Sequence, residues 1–132
     1  MFKAKDVMKT NLMTVGRQTP IHEAIRILVE NNITGLPVVN DDMSLAGIIS
    51  EKDMLGLLYN IEDRPGNVED FMTEEVVCFD HEDSLIDITE SFMANNFRRV
   101  PIVTDGRLVG IISRKDIIAY ILKLRRKDKA AV

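Results

Sequence analysis

The sequence predicts an α/β (α+β) fold of two pseudo-two-fold-related β-α-β-β-α repeats with small mixed sheets packed together. The heptapeptide GIISEKD at 47–53 returns as GIISRKD at 110–116, with one residue changed. In both places this signature follows a predicted hairpin, which itself follows a segment of helical periodicity. A unit of about sixty residues buries little surface alone, so we expect the two halves to pack on one another.

The repeat extends well beyond the signature. At an offset of 64, VMKTNLMTV (7–15) aligns with FMTEEVVCF (71–79), and LPVVND (36–41) aligns with VPIVTD (100–105). After these segments the offset falls to 63, so the second half lacks one residue before its signature. Deletions of one residue fall in turns, and NDDMS and TDGR are therefore predicted to be hairpin loops of unequal length.

The elements of each half follow in the same order. A short helix (4–8 or 68–72) precedes a short strand (12–15 or 76–79). In TPIHEAIRILVENN, Thr19 is the expected helix cap and Pro20 the first helical residue. The helix in each half has an apolar face: Ile21, Ala24, Ile25 and Leu28, then Leu85, Ile88, Phe92 and Met93. Each helix crosses between two parallel strands with a right-handed connection, and a hairpin and a closing helix from 51 or 114 complete the half.

These elements predict a first repeat at 1–60, a linker at 61–67, a second repeat at 68–126 and a basic tail at 127–132. The closing helices contain MLGLLY (54–59) and IIAYILKL (117–124), which are apolar almost all round. A helix on the surface of a monomer needs only one apolar face. A homodimer is the favoured explanation, and a deeper monomer core is the alternative.

Charge and cysteine content limit the partners and the location. The net charge is −4, yet residues 114–132 hold seven Lys/Arg and two Asp, while the rest holds ten basic and nineteen acidic residues. The basic end is best explained as a solvated helix terminus, and the acidic remainder disfavours a nucleic-acid partner. The single cysteine, Cys78, fits a reducing compartment and is expected to be a small buried residue of a strand. No apolar run approaches the roughly 18 residues of a membrane span, so a cytoplasmic protein without a membrane partner is predicted.

Each signature can be explained by helix capping alone. Ser50 and Ser113 would be N-caps, with Asp53 and Asp116 at the third helical position. The same geometry also suits a ligand, because a carboxylate at a strand–helix junction can accept hydrogen bonds from the vicinal hydroxyls of a ribose. The glycine that opens each signature would leave room for a ring to approach. Spacing alone does not decide between these explanations.

An enzyme is disfavoured. The two histidines, His22 and His81, have no second ligand at metal spacing. The sequence has no Ser/His/Asp set, no glycine-rich phosphate loop and no H-E-x-x-H motif. We therefore predict no catalytic residue, no metal and no catalytic cofactor. A ligand-free structural or oligomerisation module remains the alternative to a binding module.

The order of these motifs, found twice, resembles the cystathionine-β-synthase-type (CBS) domain, and two such domains in tandem form a Bateman module. The resemblance covers residues 4–125. It implies a regulatory module that binds an adenosine-containing ligand in the cleft between the repeats: AMP, ADP or ATP, with S-adenosylmethionine or NAD as further candidates. The regulated partner would be a separate, unknown protein.

The resemblance also implies the site residues. The main cleft would be formed by Met13, Ile33, Thr34, Gly35, Arg98, Arg99, Ile111, Ser113 and Asp116. There Asp116 would hold the ribose diol, and Arg98 and Arg99 would meet the phosphates. A second cleft would use Ile48, Ser50, Asp53, Val77 and Phe97. Because uncharged Thr34 and Gly35 stand where the second half has arginines, the second cleft should bind phosphorylated ligands more weakly.

Overall fold

A computed structural model describes residues 2–60 and 66–131, with only the backbone given for residues 60 and 128–131. Within these ranges the chain forms two three-stranded sheets and four α-helices. The strands are β1 (Val15–Gly16), β2 (Gly35–Val39), β3 (Leu45–Ser50), β4 (Phe79–Asp80), β5 (Arg99–Thr104) and β6 (Arg107–Ser113). The helices are α1 (Ile21–Asn31), α2 (Glu51–Leu55), α3 (Leu85–Ala94) and α4 (Arg114–Ala131), with 3-10 turns at Ala4–Asp6, Gly56–Asn60 and Val68–Asp70.

Both sheets are mixed, with strand orders β1-β2-β3 and β4-β5-β6. The strands before and after each crossover helix are parallel, and β2 and β3 are antiparallel. The first hairpin contains a bulge between Val38 and Val39, whereas the second closes through Asp105 and Gly106 at φ 51° and 78°. Positive φ at both residues is typical of a tight two-residue turn. The predicted class, the two repeats and the unequal loops are confirmed.

The first strand of each repeat lies about three residues later than predicted. Val15 and Gly16 pair with Val38 and Val39, and these two pairs define β1. The predicted strands at 12–15 and 76–79 were therefore largely wrong, because pairing with the central strand, and not local composition, fixes where they form. Cys78 consequently precedes β4 and is exposed, contrary to prediction. Partial desolvation, with a smaller contribution from a nearby carboxylate, raises the pKa of its thiol.

The helix ends also depart from expectation. Thr19 does not cap α1; its Oγ1 accepts a hydrogen bond from the Gly16 N–H at 2.9 Å, and Pro20 is the N-cap residue. Thr19 therefore closes the turn after β1. The closing helices differ in length, since α2 ends after five residues and continues as a 3-10 turn, whereas α4 continues through the basic end of the chain.

The chain divides into two compact units that differ from the sequence repeats. The first unit contains Met13–Val76 and Gly106–Leu108, and the second contains Met1–Leu12, Val77–Asp105 and Val109–Val132. Each has its own core. The first core is formed by Val15, Ile21, Ala24, Leu28, Leu36, Val38, Ile49 and Val68. The second is formed by Ala4, Leu85, Ile88, Phe92, Val100, Ile102, Ile112 and Ile117.

The two repeats thus exchange their opening segments, residues 2–12 and 66–76. Ala4, at the start of the first repeat, is fully buried in the second core, and Val68, at the start of the second repeat, is fully buried in the first core. The Ala4 N–H donates to the Asp83 carbonyl at 2.9 Å, and the Val68 N–H donates to the Thr19 carbonyl at 2.8 Å. Lys3 and Lys5 add hydrogen bonds to the carboxylate of Glu82. Of the predicted linker, residues 61–65 lie outside the described residues.

Candidate functional site

Each signature ends in a capping box at the junction of strand and helix. In the first unit the Ser50 N–H and Oγ donate to Asp53 Oδ2 at 2.9 and 3.0 Å. In the second unit the Ser113 N–H donates to Asp116 Oδ2 at 2.8 Å, and the Asp116 N–H donates back to Ser113 Oγ at 3.1 Å. The predicted capping role is confirmed in both copies. Since the cap uses Oδ2 of each carboxylate, Oδ1 is left for another partner.

The opening segments supply that partner. Thr73 forms a β-bridge with Ile48, with N–H···O distances of 2.9 and 2.8 Å, and its hydroxyl donates to Asp53 Oδ1 at 3.1 Å. Lys9 forms the corresponding bridge with Ile111 at 2.9 and 3.0 Å. Its Nζ lies 3.4 Å from Oδ1 of Asp116, whose side chain is only 11% exposed. The two carboxylates therefore have the same backbone surroundings but different side-chain partners. Asp53 contacts the hydroxyl of Thr73, and Asp116 contacts the ammonium group of Lys9.

The glycines of the signature make room for these segments. A Cβ atom at Gly47 would lie 2.5 Å from the carbonyl oxygen of Thr73, and one at Gly110 would lie 2.5 Å from Met8 Sδ. The expectation that this space receives a ligand ring is wrong, because the chain itself occupies it. The glycines permit the β-bridges that bring Lys9 and Thr73 to the carboxylates.

The arginine pair lies at the same end of the second sheet as its capping box. Arg114 directly follows Ser113, and its backbone N–H donates to the Arg98 carbonyl at 3.0 Å. Strand β5 begins at the next residue, Arg99. Arg98 is exposed and Arg99 is half-buried. This unit therefore places two cationic side chains on the strand start next to Ser113 and Asp116.

The corresponding position of the first unit is uncharged. Thr34 accepts a hydrogen bond from the Glu51 N–H at 3.0 Å, and Gly35 is opposite Ser50 in the β2–β3 register. The backbone arrangement is the same, so the difference between the two units at this point lies in the side chains.

Arg114 contributes to the site, and sequence reasoning did not assign it a role. Its guanidinium donates to the carbonyls of Phe92, Asn95 and Phe97 at 2.9, 2.7 and 3.1 Å. It also lies 5.8 Å from the centre of the Phe92 ring. These carbonyls belong to the end of α3 and the loop after it, so Arg114 holds the loop that leads to Arg98.

The signal for this role is the single mismatch within the two signatures, Glu51 against Arg114. The first unit does not need the arginine, because α1 ends differently. Asn32 adopts a left-handed conformation with φ 51°, and its N–H bonds to the carbonyls of Leu28 and Val29. A left-handed residue at the C-terminus of a helix satisfies the last carbonyls through its backbone N–H. At the end of α3, the side chain of Arg114 satisfies the carbonyls instead.

The predicted site residues fall into two groups. The first unit holds Met13, Ile33, Thr34, Gly35, Ile48, Ser50 and Asp53, and the second holds Val77, Phe97, Arg98, Arg99, Ile111, Ser113 and Asp116. The structure brings together the strand starts and capping boxes within each unit, as described above. Each predicted cleft draws residues from both groups, and that assignment stays a prediction.

In residues 2–60 and 66–131 there is no cluster of three or more His, Cys, Asp or Glu side chains suited to a metal ion. His81 contacts Thr104 Oγ1 through Nδ1 at 2.7 Å, which gives it a structural partner. None of the described helices is both long enough and apolar enough to span a bilayer.

Known proteins resemble this chain over nearly its full length. An inosine-5′-monophosphate dehydrogenase of Methanocaldococcus jannaschii is 38% identical over 130 residues, which are 98% of this chain and 25% of that enzyme. The chain likewise spans only 42% of a second relative from the same organism, MJ1225, at 34% identity.

Two similar solved structures are complexes with small-molecule ligands. CBSX2 in complex with AMP superimposes with a TM-score of 0.87 at 29% identity, covering 95% of this chain and 99% of that one. The CBS domain pair of MJ0100, in complex with 5′-methylthioadenosine and S-adenosyl-L-methionine, gives 0.79 at 28% identity, covering 92% and 96%. A model of the CBS domain matches residues 4–60 and again residues 68–123. The chain therefore belongs to the CBS-domain family, as a tandem pair of CBS domains.

Proposed function

We propose that this protein is a non-catalytic regulatory module that binds an adenosine nucleotide, AMP, ADP or ATP, and signals to a separate protein. The observation that carries the proposal is the pair of capping boxes, in which Asp53 and Asp116 each keep Oδ1 outside the cap. The complexes of CBSX2 with AMP and of MJ0100 with two adenosyl ligands support it. A cytoplasmic location is part of the proposal, because one cysteine in 132 residues fits a reducing compartment.

The chemistry of Asp116 suits a ribose. A carboxylate offers about four lone-pair positions, and its cap uses Oδ2 for the Ser113 N–H. Hydroxyls at C2′ and C3′ can donate to the positions that remain, and hydrogen bonds to a charged acceptor are the stronger kind. Ser113 Oγ keeps its proton for a sugar or phosphate oxygen. Arg98, exposed on the neighbouring strand start, can pair with phosphate oxygens.

A thermal-shift panel of AMP, ADP, ATP, S-adenosylmethionine and NAD tests this function, with GMP as the control for the base. A ligand at a hundredfold excess over its Kd adds about 2.7 kcal/mol of stability. For a chain of this size that raises Tm by on the order of 10 °C. A folded protein that responds to none of these ligands would instead be a ligand-free structural or oligomerisation module.

Self-association is a second, compatible proposal. The closing segments expose large apolar side chains: Leu55, Leu58, Tyr59, Ile118, Ile121 and Leu122. Leu58 is 74% exposed and Ile121 is 50% exposed, so neither fills a deeper core of the monomer. Exposed apolar groups on neighbouring turns are typical of protein–protein contacts. We propose a homodimer that covers these segments.

A further inference from the structure

The two sites also differ in the residue that contacts the carboxylate outside the cap. Lys9 and Thr73 occupy aligned positions, form equivalent β-bridges and approach the same carboxylate oxygen, Oδ1. The bridge fixes the backbone of Lys9, while its side chain is 74% exposed and its ammonium group lies beside Asp116. The function proposed above does not use this difference.

We propose that Lys9 and Thr73 select the charge of the adenosine ligand at each site. The Lys9 ammonium makes the Asp116 site prefer anionic ligands, the adenosine phosphates. Thr73 leaves the Asp53 site with an uncompensated carboxylate, which accepts neutral or cationic adenosyl ligands such as S-adenosylmethionine. This inference rests on the proposed adenosine-binding function.

Charged residues near each capping box favour the same ligand preference as Lys9 and Thr73. In the second unit, the exposed Arg98 stands beside the capping box. In the first unit, Thr73 is followed along the chain by Glu74 and Glu75, both exposed, and Glu51 begins the helix next to Ser50. An anionic ligand is thus favoured in the second unit and disfavoured in the first.

The size of the effect follows from Coulomb's law. Two unit charges about 7 Å apart change an affinity by about threefold in bulk water, and measured exposed ion pairs reach about fivefold. We take the larger factor. Removing the Lys9 charge should therefore weaken the binding of AMP by about that factor. It should strengthen the binding of S-adenosylmethionine, whose sulfonium is positive, by the same factor. The ratio of the two affinities would change by about 25-fold. Adenosine, which is neutral, should change by about twofold or less, because an exposed ion pair contributes little.

The experiment is calorimetric titration of the full chain with AMP, adenosine and S-adenosylmethionine at low salt. Lys9→Met removes the charge, Lys9→Arg keeps it, and Thr73→Lys introduces it at the Asp53 site. Lys123→Met, at an exposed position of α4, is the control for the same change in net charge. Because Lys9 and Lys123 are exposed, both Met variants should fold, and circular dichroism checks this.

The expected result is a change of the AMP-to-S-adenosylmethionine ratio by about 25-fold in Lys9→Met, with Lys9→Arg and Lys123→Met close to wild type. Thr73→Lys should raise the AMP-to-S-adenosylmethionine ratio at the Asp53 site, and added salt should reduce all of these differences. If the ligands bind but Lys9→Met leaves the ratio of AMP affinity to S-adenosylmethionine affinity unchanged, the inference is overturned and the proposed function stands. Failure of every ligand to bind the folded wild type overturns the proposed function itself.

Discussion

Replacing Arg114 by Gln should destabilise the second unit and weaken nucleotide binding through the loop before β5. The guanidinium bonds to three backbone carbonyls, those of Phe92, Asn95 and Phe97. Glutamine can replace at most one of these bonds and carries no charge. Without them, the end of α3 and the backbone that presents Arg98 lose their fixed geometry.

The magnitude follows from the exposure of each bond. A hydrogen bond to a charged group contributes about 1.5–3 kcal/mol net. The bond to Phe92 is part-buried, whereas those to Asn95 and Phe97 are exposed and compete with water. Taking the lower limit for the first, and about 0.5 kcal/mol for the others together, gives a loss of about 2 kcal/mol. Tm should fall by roughly 6–10 °C.

Thermal and urea denaturation of Arg114→Gln and of Lys115→Gln measure this loss. Lys115 is the adjacent exposed residue on α4, so its variant has the same change in charge without the carbonyl contacts, and it should stay within about 0.5 kcal/mol of wild type. Calorimetry should also show weaker AMP binding in Arg114→Gln, with adenosine binding little changed. A loss of stability no larger than that of Lys115→Gln would refute the role assigned to Arg114.

Three further predictions concern the carboxylate, the oligomer and pH. Asp116→Asn should weaken AMP binding by about 1.5–3 kcal/mol in calorimetry with little change in the ligand-free Tm; undiminished affinity would reduce the residue to a helix cap. Leu58→Glu or Ile121→Glu should convert a dimer into a monomer or insoluble protein in sedimentation, and a wild type that stays monomeric on concentration would contradict this. Hydrogen bonds from the lysines of the opening segment lower the pKa of Glu82 from 4.5 to about 2, so its contribution to stability is present above pH 4.5 and is lost as pH falls through 2. The Tm deficit of Glu82→Gln should shrink over that interval, and a constant deficit would exclude the linkage.

Much of the fold could be predicted because turns and helix starts leave local patterns. The Asp105–Gly106 turn and the Ser50–Asp53 box each need particular residues at fixed spacing, and these were visible in the sequence. The exchange of opening segments left no such pattern. Ala4 and Val68 each begin a repeat, and the two repeats have similar apolar helix faces. The order of the chain does not show which of these faces each residue contacts.

The site shows the same division. Ser113 and Asp116 were identified because the signature repeats, but the meaning of its exceptions depends on tertiary structure. Lys9 aligns with Thr73 in the sequence, yet the difference matters only because each is bridged to the strand beside a carboxylate. The same holds for Arg114, whose three acceptors are far from it along the chain.

The exchanged segments also determine when each core can be completed during synthesis. The first unit lacks Val68 until the second repeat has begun to emerge from the ribosome. The core around Ala4 is completed much later, because it includes Ile112 and Ile117. At about 5–20 residues per second, Ala4 is without its complete core for roughly 6–20 s. Residues 2–12 are thus made long before the strand and helix with which they pack.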